Sequence, residues 1–216
     1  MADREMRGAA LAPLTGVLFV VLTVVALILG GEPPDADDPI REVVDFWVDN
    51  DTALMIGSVL ESLGAVALLF FSASLRRALR RREDGAGVLS VAAMAGGIVA
   101  ATGIAVDAAI RFAAADLADD VDPVVTQTLN AMWADFFFPM VVGMATLILA
   151  TSLAALRTRF IPVWLAWIGI LICIALFTPA GFVAFAVGGL WILILSVLLW
   201  RQESAAGARP VSSATI

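Results

Sequence analysis

The run LTGVLFVVLTVVALILGG (Leu14–Gly31) contains no charged side chain and is long enough to cross a lipid bilayer as an α-helix. A hydrocarbon core about 30 Å thick needs about twenty apolar residues, because an α-helix rises about 1.5 Å per residue. The run also exceeds the usual length of a signal-peptide core, and no small-x-small cleavage site precedes Glu32. It therefore predicts a retained transmembrane helix rather than a signal peptide.

Five further apolar segments follow this run, so the sequence predicts an all-α transmembrane fold, a single six-helix bundle. The composition agrees, because 61% of the residues are hydrophobic and 15% are charged, against about 25% charged in soluble domains. One transmembrane domain is expected over residues 1–200, and the small, polar residues 201–216 are expected to form a flexible cytoplasmic tail. The predicted helices cover residues 11–30, 53–75, 87–110, 123–156, 161–178 and 181–200.

The basic residues predict the orientation of the bundle. All 13 are arginine, and eleven of them flank the same ends of the predicted helices, which leaves only Arg41 and Arg111 for the other side. Positive charge stays cytoplasmic, so both termini are expected inside the cell membrane. The densest group is expected either to contact anionic lipid on the cytoplasmic side or to act only as a topology anchor. Its members are Arg76, Arg77, Arg80, Arg81 and Arg82.

The opposite side is acidic, as GEPPDADDPIREVVDFWVDND (Gly31–Asp51) shows. Asp38-Pro39 is typical of a helix start, and the apolar residues that follow predict a short amphipathic helix in this first outer loop. We expect Trp47 of that helix at the lipid headgroups, in a packed loop rather than a lid. No basic, aromatic surface indicates a nucleic-acid partner.

Small residues recur every four positions in SVAAMAGGIVAATG (Ser90–Gly103). Ala93, Gly97 and Ala101 give the small-xxx-small spacing that lets helices approach closely in lipid. We expect this stripe to pack against another helix of the same chain, and a homo-oligomer or another membrane protein partner stays open as the alternative.

The absent residue types exclude several chemistries. There is no histidine, lysine or tyrosine, and Cys173 is the single cysteine. A Schiff base, a histidine-bound metal and a Ser-His-Asp triad are therefore excluded, and Cys173 is expected to pack in the interior. We predict no cofactor and no metal site, and no pair of a nucleophile and a base indicates an enzyme.

Four ionisable residues fall inside the predicted helices or directly at their ends: Glu61, Asp107, Arg111 and Asp135. Counted from the cytoplasmic arginines, all four lie in the outer third of the bundle. Asp107 and Arg111 are four residues apart and are expected to form a structural ion pair, although Arg111 could equally pair with Glu61 or Asp135. Intramembrane charges of this kind are candidates for a functional site.

The segment LNAMWADFFFPMVVG (Leu129–Gly143) adds polar groups beside these charges. Pro139 has no N–H, so the carbonyl of Asp135 loses its helical donor and the helix is expected to kink. We therefore predict a ligand-binding site made by Glu61, Asp135, Asn130 and Trp133. The alternative is that these carboxylates only fix the helix register near the interface.

Several segments resemble uncharacterised six-span bacterial integral membrane proteins, of the kind catalogued as domains of unknown function. They are LAPLTGVLFVVL, EVVDFWVDND, FFSASLRRALR, WADFFFP and LFTPAGF. The resemblance implies a fold and a membrane location but transfers no activity and no functional residue. Two functions remain: binding or transport of a small cationic or amphipathic solute through an outward-facing polar crevice, or a structural or accessory role in a membrane complex.

Overall fold

The computed structural model describes residues 11–35 and 37–207, and every regular element within them is helical. The predicted all-α class therefore holds for this part of the chain. A 3₁₀ turn at Ala12–Leu14 precedes eight α-helices. They are α1 (Thr15–Gly30), α2 (Ile40–Asp49), α3 (Asp51–Arg80), α4 (Val88–Leu117), α5 (Pro123–Asp135), α6 (Phe138–Thr158), α7 (Val163–Ala175) and α8 (Gly181–Gly207).

Among the described residues, five helical stretches are long and apolar enough to cross a membrane. They are Ala12–Gly30, Asp51–Arg80, Val88–Leu117, Pro123–Thr158 and Gly181–Ala205. The sixth apolar helix, α7, has 13 residues and measures about 20 Å, which is shorter than a hydrocarbon core. Many large apolar side chains on these helices are exposed, as suits contact with lipid. The chain is therefore a helical membrane protein.

Helix α4 packs along its length between α3 and α6, and small residues make this packing close. The predicted stripe of Ala93, Gly97 and Ala101 is buried in these contacts. Gly143 of α6 lies directly against the backbone of Ala100 in α4, so no side chain fits between the two helices. The stripe thus serves packing within the chain, as expected.

The helix expected over residues 123–156 is divided in two. Asp122 caps α5, because its carboxylate accepts a hydrogen bond of 3.0 Å from the amide of Val124. Helix α5 ends at Asp135, and α6 begins at Phe138 with Pro139 in its first turn. The missing N–H of Pro139 thus accompanies a break rather than a mild kink. The break lets α5 pack against α2 while α6 follows α4.

The short helix in the first loop is present as α2, but its residue Trp47 does not lie at the surface of the protein. The Trp47 side chain is fully buried, and its indole N–H donates to the amide oxygen of Asn130 at 3.1 Å. The expected position among the headgroups is therefore wrong, because the apolar face of α2 packs on α5 rather than on lipid. Asp38 accepts from the amide of Asp35 and does not cap α2.

Helix α8 continues beyond the expected start of the tail at residue 201. Glu203 forms a salt bridge of 3.4 Å with Arg77 of α3, and the amide of Gln202 donates to the carbonyl of Phe160 at 2.8 Å. These contacts tie residues 202 and 203 to the bundle, and the helix continues to Gly207. The remaining part of the predicted tail, residues 208–216, lies outside the described residues, as do residues 1–10.

Glu83, in the loop between α3 and α4, caps the start of α4. Its two carboxylate oxygens accept from the amides of Leu89 and Ser90, each at 2.9 Å. Desolvation acts to raise the pKa of Glu83, but these hydrogen bonds and the nearby Arg80 outweigh it and hold the pKa below the usual value. The ionised carboxylate therefore stabilises the folded state.

We expect Glu83→Gln to destabilise the protein by about 1 kcal/mol at pH 7, the size of a typical helix cap. Since the folded pKa is the lower one, this stabilisation is complete above the unfolded pKa of about 4.3 and is lost as the pH falls through the folded pKa. The difference from wild type should therefore shrink in acid. Chemical unfolding at pH 7 and pH 4 checks this, with Asp84→Asn, an exposed neighbour, as the control. A difference that does not change with pH would contradict the assignment.

Candidate functional site

A buried ion pair joins α3 and α4. The Arg111 guanidinium donates to the carboxylate of Glu61, and its Nε donates to the hydroxyl of Ser58 at 3.1 Å. The side chains of Arg111 and Glu61 are 4% and 12% exposed, so the pair is nearly removed from solvent. Two glycines lie beside it: a Cβ atom on Gly30 would stand 3.4 Å from the guanidinium and one on Gly57 3.8 Å, both ordinary van der Waals distances.

Asp107 lies one turn before Arg111 but does not pair with it. Its carboxylate accepts a hydrogen bond of 3.1 Å from the indole N–H of Trp133, and within the described residues it makes no salt bridge. The expected Asp107–Arg111 pair is thus replaced by the Glu61–Arg111 pair. The guanidinium fits the space beside Gly57 on α3, where it also reaches Ser58. Asp107 is 7% exposed.

These charged residues line one end of a cavity of about 540 Å³. The other walls come mainly from α1, α6 and α8 and are almost entirely apolar and aromatic. Phe137 and Phe185 meet edge to face across the cavity wall, with ring centroids 5.6 Å apart. The site thus combines a small charged end with a much larger apolar volume.

The mouth of the cavity is apolar. Leu27, Phe138 and Phe182 line it and are 49%, 72% and 67% exposed, whereas Asp107 and Arg111 are buried and the Glu61 side chain is only 12% exposed. The charged end is therefore the closed end. This geometry differs from the expected outward-facing polar crevice, because the polar groups lie inside and the exposed rim is hydrophobic.

Two of the four predicted ligand-binding residues line the cavity, namely Glu61 and Trp133. Asn130 is fully buried behind the wall, where it accepts from Trp47 and donates to the carbonyl of Pro34 at 3.2 Å. Asp135 is exposed at the end of α5 and does not line the cavity. Asp107, expected to be structural, lines the cavity instead, and its predicted place in the same third of the bundle as Glu61 was the sequence signal for this.

Within residues 11–35 and 37–207, no three carboxylate or thiol side chains converge closely enough to hold a metal ion. Cys173 is buried and donates to the carbonyl of Ala145 at 3.3 Å, as expected for a packing residue. The polar chemistry at the cavity is therefore carboxylate, guanidinium, indole and hydroxyl. Such a set can bind a charged or hydrogen-bonding group.

Comparison with known proteins identifies one family. Its model, described as Domain of unknown function (DUF4386), matches residues 14–207 of this chain. The match includes all eight α-helices, and with it both the buried ion pair and the cavity. No curated protein and no solved structure matches the chain.

Proposed function

This chain belongs to the family Domain of unknown function (DUF4386), and we propose that it binds a small amphipathic cation in the cavity beside Asp107. The expected likeness to a domain of unknown function is thereby confirmed, whereas the ligand is our proposal. The observation that carries it is the excess of one carboxylate at the closed end of an apolar cavity.

The charges at the closed end do not balance. Glu61 and Asp107 bring two carboxylates, and Arg111 brings one guanidinium, which bonds to Glu61. Among the described residues, Asp107 accepts a hydrogen bond from the neutral indole N–H of Trp133 and shares the positive charge of Arg111 with Glu61. A buried carboxylate without a cationic partner is costly, so a bound cation would relieve that cost. A ligand ammonium beside Asp107 supplies the missing positive charge.

The size and walls of the cavity support an amphipathic ligand. Small-molecule sites enclose about 300–1,000 Å³ and are mostly apolar with a few polar groups, and this cavity of about 540 Å³ has that character. Aromatic faces also attract cations, and Trp133 stands next to the carboxylate end. A molecule with an apolar body and one amine would match both the apolar walls and the charged end of the cavity.

We further propose the topology expected from the arginines: six spans in the cell membrane with both termini cytoplasmic. Arg76 and Arg81 are exposed on the arginine-rich end and are available to anionic lipid, whereas Arg77 pairs with Glu203. The cavity then lies in the outer half of the bundle, because α1 ends and α8 begins there. Transport of the cation across the bilayer is the extension of this proposal.

Asp107→Asn is expected to weaken binding of dodecylamine about 10- to 100-fold, because a hydrogen bond to a charged group contributes about 1.5–3 kcal/mol. Binding is measured as the rise in unfolding temperature of the protein in lipid nanodiscs. Asp135→Asn makes the same chemical change at an exposed position outside the cavity and should bind as wild type does.

Dodecanol serves as the neutral ligand control, since it has the same chain without the positive charge. If dodecanol stabilises the protein as much as dodecylamine does, or if Asp107→Asn has no effect, the cation site is wrong. The structural or accessory role would then be the better proposal, and a co-purifying membrane partner would be sought.

A further inference from the structure

Helices α1 and α8 meet at one end and separate at the other. Near the start of α1, a Cβ atom on Gly16 would overlap the hydroxyl of Ser196 in α8, so the two helices touch there. Towards the other end, the cavity lies between them and is lined by Val24 of α1 and Gly189 of α8. A Cβ atom on Gly189 would meet no heavy atom within 4 Å. The two helices therefore leave a gap on the side of the bundle.

The rim of this gap is suited to lipid rather than to water. Val24 and Leu27 on α1 and Phe182 on α8 are exposed apolar residues, and each also lines the cavity. In the part of the chain that the structure describes, the only charged side chains that line the cavity are those of Glu61, Asp107 and Arg111 at its closed end. In a membrane, hydrocarbon chains would reach this rim directly.

The charged end is closed on the side of the acidic loops. Trp133 forms its wall and packs edge to face on the fully buried Trp47, with ring centroids 5.9 Å apart. Behind them, Asn130 and Gln127 donate to the loop carbonyls of Pro34 and Asp38 at 3.2 and 3.4 Å. The packed α2 and α5 helices thus cover the polar end, and the apolar gap is the exposed side.

We propose that the gap between α1 and α8 is a lateral entrance, which holds the hydrocarbon chain of a single-chain amine from the adjacent leaflet while its ammonium reaches Asp107. The inference rests on the proposed cation site and adds the class and position of the ligand. Charge complementarity favours the ammonium group, because among the described residues two carboxylates share one guanidinium at the cavity, and the apolar rim favours the hydrocarbon chain of the ligand. A cation without a chain would leave most of the cavity surface unburied.

Gly189→Trp tests this position, because the new ring would fill the gap without meeting the surrounding atoms at its Cβ. We expect binding of dodecylamine to weaken at least about tenfold and binding of hexylamine to change by less than about threefold. Affinities are expressed per mole fraction of amine in nanodisc lipid, which removes the effect of partitioning. Gly189→Ala and Gly189→Leu should give smaller, graded losses for dodecylamine.

Leu190→Trp is the matched control, since Leu190 is 55% exposed on the same helix and does not line the cavity. It should bind both amines as wild type does. If Gly189→Trp binds dodecylamine normally while Asp107→Asn does not, the lateral entrance is wrong and the cation site stands. If neither variant affects either amine, both proposals fail. Unfolding temperatures without ligand show whether each variant is folded.

Discussion

Replacing Arg111 by methionine is expected to lower the free energy of unfolding by about 3–5 kcal/mol, because it leaves the buried carboxylate of Glu61 without its partner. Methionine is apolar and roughly as long as the arginine stem, so the loss comes mainly from charge and hydrogen bonding. The hydroxyl of Ser58 also loses the donor that Arg111 Nε supplies. Reversible unfolding of the purified protein in one detergent measures the difference.

Arg41→Met is the matched control. Arg41 forms an i,i+4 salt bridge of 3.7 Å with Asp45, but the two side chains are 90% and 64% exposed. Exposed pairs of this kind contribute about 0.2–1 kcal/mol, so Arg41→Met should change stability little. Equal losses from Arg111→Met and Arg41→Met would show that the buried pair does not stabilise the fold.

A double variant distinguishes the cost of leaving Glu61 unpaired from the other effects of replacing Arg111. Glu61→Gln together with Arg111→Met removes both charges, and we expect it to recover much of the stability lost in Arg111→Met. The reason is that an uncharged amide is less costly to bury than an unpaired carboxylate. If the double variant is less stable than wild type by the sum of the two single losses, the two residues act independently and the pair is wrong.

Gly143→Ala is expected to cost about 3 kcal/mol or more of stability and to lower the yield of folded protein. A Cβ atom at Gly143 would overlap the backbone nitrogen and Cα of Ala100, and a backbone cannot move aside as a flexible side chain can. Helices α4 and α6 would have to separate, and with them the packing on which the centre of the bundle depends.

Gly189→Ala is the control, because it makes the same change within a helix where nothing lies within 4 Å of the new atom. Alanine favours a helix over glycine by about 0.5–1 kcal/mol, so this variant should be as stable as wild type or slightly more stable. Unfolding temperatures and the monodisperse fraction in size-exclusion chromatography compare the two variants. If Gly143→Ala is as stable as Gly189→Ala, the backbones of α4 and α6 are not in contact at Gly143.

The membrane class and the all-helical fold follow from the sequence because hydropathy is a local property. An uncharged run such as Leu14–Gly31 must avoid water whatever its neighbours are, and in lipid its backbone must bond within a helix. The spacing of Ala93, Gly97 and Ala101 likewise predicts a packing face, since residues four apart share one side of a helix. Counting along the helices also predicted that Glu61, Asp107 and Arg111 lie near one level of the bundle, and all three line the same cavity.

The partners of these groups depend on the tertiary structure. Spacing alone allows Arg111 to pair with Asp107 on its own helix, but the guanidinium donates instead to Glu61 and Ser58 of α3. Asp107 then accepts from Trp133 and faces the cavity, while Asp135 faces solvent.

The packing of α2 and of the end of α8 also depends on tertiary contacts that the sequence pattern does not specify. The amphipathic pattern of α2 predicts a helix with one apolar face, but not that this face covers α5 and buries Trp47. The polar residues after Arg201 do not show that Glu203 meets Arg77 from a distant part of the chain. Periodicity fixes which side chains share a face, whereas the choice of partner depends on the space and hydrogen bonds that neighbouring helices offer.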